Sequence, residues 1–327
     1  MMAKTRREFI VSTASAGCLA VVAPLAGGVA PSREDGIIDA HVHVWTGDLQ
    51  TYPLAPGFTK EHLWLPSYTP DDVLREAQGL GVSRLNLVQM TWYGLDHSYI
   101  VNIIAKDPKH FVGTGIVPAV TDVAGPSPDD TMVALSKKGV FAFRIRGRMA
   151  RPPLGDGPQW LDHPGYEKMF QAGARHNLAL SFLMGPADIP ELERMCSRFR
   201  ETPVIIDHLC GIGANGQFPE NEIRALCDMA KYPRVMVKIG AFSGRGARKP
   251  PYLDCLPLIK RVVDAFGPDR CMWETDCPLT RPGVTQTTPP HTYEASLAII
   301  RDHADFLSKS DKEKILTQTA ASLFFDR

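Results

Sequence analysis

Between Gly36 and Asp276, short runs rich in β-branched and aromatic residues alternate with stretches of helical periodicity. The strand-like runs are Ile37 to Trp45, Arg84 to Thr91, Phe111 to Pro118, Val140 to Gly147, Leu178 to Met184, Pro203 to Leu209, Val235 to Ala241 and Cys271 to Asp276. Pro70 to Gln78, Tyr166 to His176, Ile189 to Phe199, Asn221 to Lys231 and Leu256 to Phe266 read as helices, several opened by Asp or Pro near the first turn. Such alternation forces a parallel sheet, because a parallel partner is reached only through a crossover of a dozen or more residues. Eight strands predict an α/β fold closed as a (β/α)8 TIM barrel, with an open, doubly wound sheet as the competing arrangement. The Pro- and Gly-rich segments 46–69, 148–164 and 277–292 follow strand C-termini, where a barrel carries its active-site loops.

The 327 residues, 44% of them hydrophobic, suffice for one large core, since eight βα units need about 250 residues. One catalytic domain, residues 31–327, is expected. Lys plus Arg and Asp plus Glu are equal at 36 each, so the charge balance argues against nucleic acid or an anionic membrane as partner and leaves a small molecule. No apolar run reaches the roughly 18 residues of a membrane span outside the Ala-, Gly- and Ser-rich N-terminus. Residues 1–30 read as a targeting segment, in which Arg6-Arg7-Glu8-Phe9-Ile10 precedes a weakly apolar run from Val11 to Val29. The segment resembles a twin-arginine signal, which implies the Tat machinery as an export partner, cleavage after Ala30 and a periplasmic or secreted destination. Gly17, Pro24, Gly27 and Gly28 would damage a packed helix, which disfavours an ordinary N-terminal helix. Cys18 follows Ala16-Gly17 as a lipid-attachment cysteine would, but Ser15 stands where a branched apolar residue is usual. Cys196, Cys210, Cys227, Cys255, Cys271 and Cys277 lack CxxC spacing and fall mostly in apolar segments, as buried thiols do, rather than forming a disulfide framework. Whether the chain is a homo-oligomer is left open.

The first strand concentrates the chemistry. In Ile37-Ile38-Asp39-Ala40-His41-Val42-His43-Val44-Trp45, period-two alternation puts Asp39, His41 and His43 on one face, expected to point into the barrel, and Ile38, Ala40, Val42 and Val44 on the other. Two imidazoles one residue apart converge on one cation or polarise one substrate, but alone they equally suit two satisfied core histidines. Here Asp207-His208 ends the sixth run and Glu274-Thr275-Asp276 the eighth. Ionisable groups gathered at strand C-termini are costly to bury without a partner or a function. Arg144 and Arg146 share a face of the fourth strand, Lys238 lies on the seventh and Arg245 just beyond. Guanidinium forks bind carboxylates at two points, so these cations suit a small anionic substrate, the alternative being a structural pairing with Glu274 or Asp39. Tyr68, Tyr93 and His97 are placed to add loop contacts, whereas His62, His110, His163, His176, His291 and His303 read as surface groups.

Two further patterns carry less. Gly211-Ile212-Gly213-Ala214-Asn215-Gly216 spells G-x-G-x-x-G after a strand, but Pro219 interrupts the expected helix start and no acidic residue ends the following strand, so a βα loop is the better reading than a dinucleotide site. Ser243 lacks the G-x-S-x-G frame of a nucleophile elbow.

Taken together, Asp39-x-His41-x-His43, Asp207-His208 and Trp273-x-Thr275-Asp276-x-Pro278 resemble the amidohydrolase superfamily, in its amidohydrolase-2 branch, and within it the lactonases related to 2-pyrone-4,6-dicarboxylate hydrolase. The resemblance runs from about Gly36 to Phe325. It implies a distorted TIM barrel with hydrolysis at its mouth, His41 and His43 as metal ligands or substrate polarisers, His208 as the strand-six histidine, and Asp276 as the carboxylate that takes a proton from water. The sequence also departs from the pattern. Strand four offers Arg144 and Arg146 where binuclear members use a bridging Lys or Glu, and strand five contains no His, so a binuclear centre is not expected. One divalent metal (Zn2+ or Mn2+) held by His41, His43 and Asp276 is one open reading; a metal-free site, as in the pyrone-dicarboxylate lactonases, is the other. Glu274 stands where a small residue is common, placed to raise the pKa of Asp276 or to hydrogen bond with Asp39 or a neighbouring histidine.

The expected activity is therefore hydrolysis of a cyclic ester, a lactone bearing a carboxylate, by Asp276-activated water. His41, His43 or a metal would polarise the carbonyl, Arg144, Arg146, Lys238 and Arg245 would hold the substrate, and His208 would steady the oxyanion or assist the leaving oxygen. Non-oxidative decarboxylation, which relatives in the branch carry out, is weakened by the missing strand-five histidine. A periplasmic barrel that binds its ligand without catalysis is the reading from another class.

Overall fold

A computed structural model of the chain describes residues 36–122, 124–148, 160–281, 284 and 286–327. The signal-like segment, with Cys18, and loop residues 149–159 lie outside them. Eight parallel strands, β1 (Ile37–His43), β2 (Val82–Val88), β3 (Phe111–Gly115), β4 (Val140–Arg146), β5 (Ala179–Leu183), β6 (Val204–Ile206), β7 (Val235–Gly240) and β8 (Cys271–Glu274), stand side by side in sequence order. The crossovers carry α1 (Pro70–Glu76), α2 (Ser98–Lys106), α3 (Pro128–Ser136), α4 (Pro164–His176), α5 (Ile189–Arg198), α6 (Glu220–Asp228) and α7 (Leu256–Phe266). After β8 come α8 (Tyr293–Arg301), α9 (Lys309–Glu313) and α10 (Thr319–Phe324). This is a TIM barrel. Proline in the first turn opens α1, α3, α4, α5 and α7, and Thr69 and Ser127 cap α1 and α3 with side chains that accept from Asp72 N and Asp130 N.

Each strand overlaps the run expected from sequence. β6 is shorter, because the backbone turns left-handed at His208, Leu209 and Cys210, with φ of 55°, 51° and 56°. The barrel closes between β1 and β8 only near their C-terminal ends, where Asp276 N donates to His41 O and His43 N to Cys277 O, both at 3.0 Å.

One register shift corrects the face assigned to Asp39. Asp39 pairs with Leu85 but Val42 with Leu87, so β1 spends three steps where β2 spends two. This bulge resets the alternation. Asp39 faces outward to Tyr293 of α8, whose hydroxyl donates to it at 2.6 Å, while His41 and His43 face inward. Ile38 and Ala40, expected opposite the histidines, join Val112, Ala142, Ala179, Ile205 and Met272 in an apolar layer against Ala320, Leu323 and Phe324 of α10. Ala142, Ala179, Ile205 and Met272 precede Arg144, Ser181, Asp207 and Glu274 by two residues, so the polar site is stacked directly on this layer.

Candidate active site

The C-terminal ends of β1, β4, β6, β7 and β8 bring His41, His43, Arg144, Arg146, Asp207, His208, Lys238, Glu274 and Asp276 together. Above them opens a cavity of about 260 Å³, lined by His43, His208, Asp276, Arg144 and Arg146 together with residues not singled out from sequence, among them Trp64, Gln89 and Arg281.

Hydrogen bonding settles how the two histidines of β1 present themselves. The Nδ1 of His43 lies 3.1 Å from the carbonyl of Val88, which only accepts, so Nδ1 carries the proton and Nε2 offers a lone pair. Arg144 Nη2, which only donates, lies 2.8 Å from His41 Nε2, closer than the Lys238 ammonium lies to Nδ1 at 3.3 Å, so Nε2 is the better acceptor and the Nδ1 proton faces Glu274 Oε2 at 3.2 Å. Burial holds His43 neutral, pushing its pKa down to about 3 against the pull of Asp276, and it lowers His41 too, helped by Lys238 and Arg144. The two Nε2 atoms stand 3.3 Å apart, and Asp276 Oδ1 lies 3.3 Å from that of His43 and 3.8 Å from that of His41. Two lone pairs and a carboxylate oxygen thus face one locus, which is a place for a cation.

Beneath this triangle lies a buried charge network. Asp207 accepts from Ser181 Oγ at 2.8 and 2.9 Å and pairs with Lys238 Nζ at 3.1 Å and Arg144 Nη2 at 3.2 Å. Burial alone would raise its pKa, but Lys238, His41 and Arg144 together hold it well below the usual carboxylate range. Glu274 Oε1 lies 2.6 Å from His208 Nδ1, and here too the imidazoles of His208 and His41 outweigh burial and hold the carboxyl at about 2. Asp276 is also kept ionised: burial raises it, while Arg281 and His208 pull it far below its ordinary value.

The family with the description Amidohydrolase matches residues 38–325. The chain belongs to the amidohydrolase family. Over 257 residues, 75% of this amidohydrolase and 81% of the relative, it is 25% identical to the L-fucono-1,5-lactonase of Burkholderia ambifaria. Over 244 residues, 74% of this chain and 75% of the relative, it is 24% identical to the 4-sulfomuconolactone hydrolase of Hydrogenophaga intermedia. Its fold matches, with a TM-score of 0.67 and 18% identity, a probable 2-pyrone-4,6-dicarboxylic acid hydrolase from Acinetobacter baumannii, covering 88% of this chain and 99% of that one. The amidohydrolase is thus a hydrolase by family.

Several sequence expectations need correction in this amidohydrolase. Lys238 is fully buried against Asp207, and Arg245 spends Nε and Nη2 on the carbonyl of His208 at 3.3 and 3.0 Å; neither lines the cavity, so they brace the site instead of reaching into it. Of the roles expected of Glu274, the bond to a neighbouring histidine, His208, is the one the structure forms, while the pKa of Asp276 is lowered rather than raised. Tyr68, Tyr93 and His97 are core groups: Tyr68 packs on Trp45, the hydroxyl of Tyr93 accepts from Thr46 N, and His97 Nε2 accepts from Ile116 N at 3.0 Å. His291 is buried too, 2.7 Å from the hydroxyl of Tyr252. Arg281 escaped notice because its only signal was a place in the long loop after β8.

A Cβ added at Gly240 of β7 would collide with the carbonyl oxygen and Cγ of Glu274. Gly240→Ala is therefore expected to cost about 1–3 kcal/mol of stability through overpacking, read as a lowered melting temperature; an unchanged value would refute the close approach. Stability should also fall with acid. An unfolded chain protonates His43 near its ordinary 6.5, the folded one only near 3, so over that window the unfolded state binds more protons and stability rises with pH. Denaturation at pH 5 against pH 7 should show a loss of about 2 kcal/mol from His43 at about 1.4 kcal/mol per pH unit. His43→Gln should flatten the slope; an equal slope in that variant would place the effect elsewhere.

Proposed function

We propose that this chain hydrolyses a lactone, with a carboxylated ring as the substrate that suits the cavity best. The observation that carries the reading is the triangle of His41 Nε2, His43 Nε2 and Asp276 Oδ1, of which His43 and Asp276 line a cavity whose wall also presents Arg144, Arg146 and Arg281. The names of the two lactone-opening relatives support it, and one of those names carries a sulfonate, an anionic group that the arginines here would also suit.

In this reading water stands at Asp276, within reach of the His43 Nε2 lone pair, and the lactone carbonyl oxygen faces Arg144 and His208. Asp276 accepts the proton as the water oxygen bonds to the carbonyl carbon, and His208 steadies the oxyanion. Collapse breaks the ring C–O bond, and the departing oxygen takes a proton from the Asp276 carboxyl, giving the open-chain hydroxy acid. Arg144 and Arg146 anchor the substrate acid group.

The donor set also fits a divalent ion, since its edges of 3.3, 3.3 and 3.8 Å suit ligands about 2.0–2.2 Å from a common centre. Zn2+ or Mn2+ held by His41, His43 and Asp276 would supply carbonyl polarisation and a more acidic water. Arg144 Nη2 takes the same His41 lone pair, so guanidinium and ion are competitors for this locus, and a metal-free site with Arg144 as its cation is the second reading. A panel of neutral and carboxylated lactones, with metal analysis of the same sample, tests both: turnover of carboxylated lactones is expected, and inactivity across the panel would overturn the assignment. Export through the Tat machinery belongs to the proposal on the strength of Arg6-Arg7 and the weakly apolar run that follows it, and fractionation of expressing cells checks it.

A further inference from the structure

We propose that Arg281 is the positioning residue for Asp276, fixing which carboxylate oxygen faces the histidine pair, and that it does not serve as a substrate anchor. The proposal rests on the hydrolytic reading of the site, but its geometry stands apart from any choice of lactone.

Asp276 follows directly on β8 and adopts a left-handed backbone, φ 60°, which a non-glycine residue holds only when its surroundings enforce it. Two contacts fix that backbone from the β1 side, since its N–H donates to His41 O and the following Cys277 O accepts from His43 N. Neither touches the carboxylate. That task falls to Arg281, five residues on, whose Nη2 bonds to Asp276 Oδ2 while Nη1 bonds to the carbonyl oxygen of Asp276 and, at 3.3 Å, to that of Pro278. One guanidinium thus ties the side chain and the main chain of the same residue. With Oδ2 held, Oδ1 has one direction left, toward His43 Nε2 at 3.3 Å.

The clamp is itself held. The Arg281 guanidinium lies over the ring of Trp64, 4.9 Å from its centroid, and Trp64 stands edge-on to His43 at 6.0 Å. Trp64 is wedged in turn against Trp45 and Trp92 at 6.0 and 5.4 Å. A planar fork stacked on one aromatic face has little freedom to swing toward an incoming ligand, whereas a flexible ammonium would have it. Arg281 lines the cavity with Arg144 and Arg146, so by position alone all three would pass for substrate anchors. The contacts of Arg281 distinguish it.

Steady-state kinetics on a neutral and a carboxylated lactone separate the two roles. Arg281→Ala is expected to lower kcat about 10²-fold on both substrates, the scale of a misplaced catalytic group, with KM changed less than about threefold. Arg281→Lys should recover only part of kcat, and added guanidinium ion should rescue the Ala variant. A rise in KM confined to the carboxylated lactone, with kcat intact, would make Arg281 an anchor and overturn the proposal, as would unchanged kinetics. If the wild-type chain turns over no lactone, the functional reading fails by itself. A crystal structure of Arg281→Lys then decides the positioning: Asp276 Oδ1 is expected to leave His43, and its retention at the wild-type distance would refute the proposal.

Discussion

Asp276→Asn is expected to lower kcat for lactone opening by about 10²- to 10⁴-fold, the range a positioned general base contributes, while KM should move little. The substitution keeps the shape of the side chain, and asparagine is among the few residues that accept a left-handed backbone, so the φ of 60° is not a reason for the variant to misfold. An amide, however, takes no proton from water. The wild-type carboxylate is available at every pH near neutrality, because Arg281 and His208 hold it ionised in spite of burial. That same stabilisation makes it a weak base in the free enzyme, so the fall in rate belongs to the attack step and should appear in kcat and kcat/KM alike. Kinetics of both proteins, with circular dichroism melting to establish that the variant is folded, decide the matter. Wild-type turnover in the Asn variant would remove Asp276 from the role of base and leave the histidine pair, or a metal bound there, as the sole activating element.

The sequence displayed much of this site because its chemistry lies on strands. His41, His43, Arg144, Asp207, His208, Glu274 and Asp276 sit at or just past the ends of apolar runs whose period is two, and such runs carry their own orientation. What escaped was whatever depends on one strand meeting another. The bulge between Asp39 and Val42 is a difference in step count between β1 and β2, so the outward turn of Asp39 toward Thr275 and Tyr293 has no trace in the nine residues from Ile37 to Trp45. Lys238 and Arg245 were legible as cations near the mouth but not as spent ones, because their partners, Asp207 and the His208 carbonyl, lie on β6 and directly after it. Arg281 and Trp64 belong to loops more than 200 residues apart in the chain, and only the closed barrel stacks them.

Asp207→Asn should be the most destabilising single change at the site, at about 3–5 kcal/mol, because it removes one partner of a buried ion pair and leaves the other in place. Lys238 is fully buried, and its ammonium has Asp207 Oδ1 at 3.1 Å as its only anionic partner among the ion pairs of the described residues. The nearby His41 Nδ1, at 3.3 Å, carries a proton toward Glu274 and is a poor substitute. Arg144 loses an anchor in the same step, but its Nη2 keeps His41 Nε2. The excess charge is thus concentrated on Lys238, which must either lose its proton or draw water into the barrel. Removing both ends of the pair avoids that choice, so Asp207→Asn with Lys238→Met should recover part of the lost stability, and the double-mutant cycle gives the coupling of the pair directly. Chemical denaturation of the four proteins provides the numbers. Additive losses would mean that the two groups do not act as a pair, and the buried network would then owe its order to Arg144 and Ser181, which hold the same carboxylate from the neighbouring strands β4 and β5.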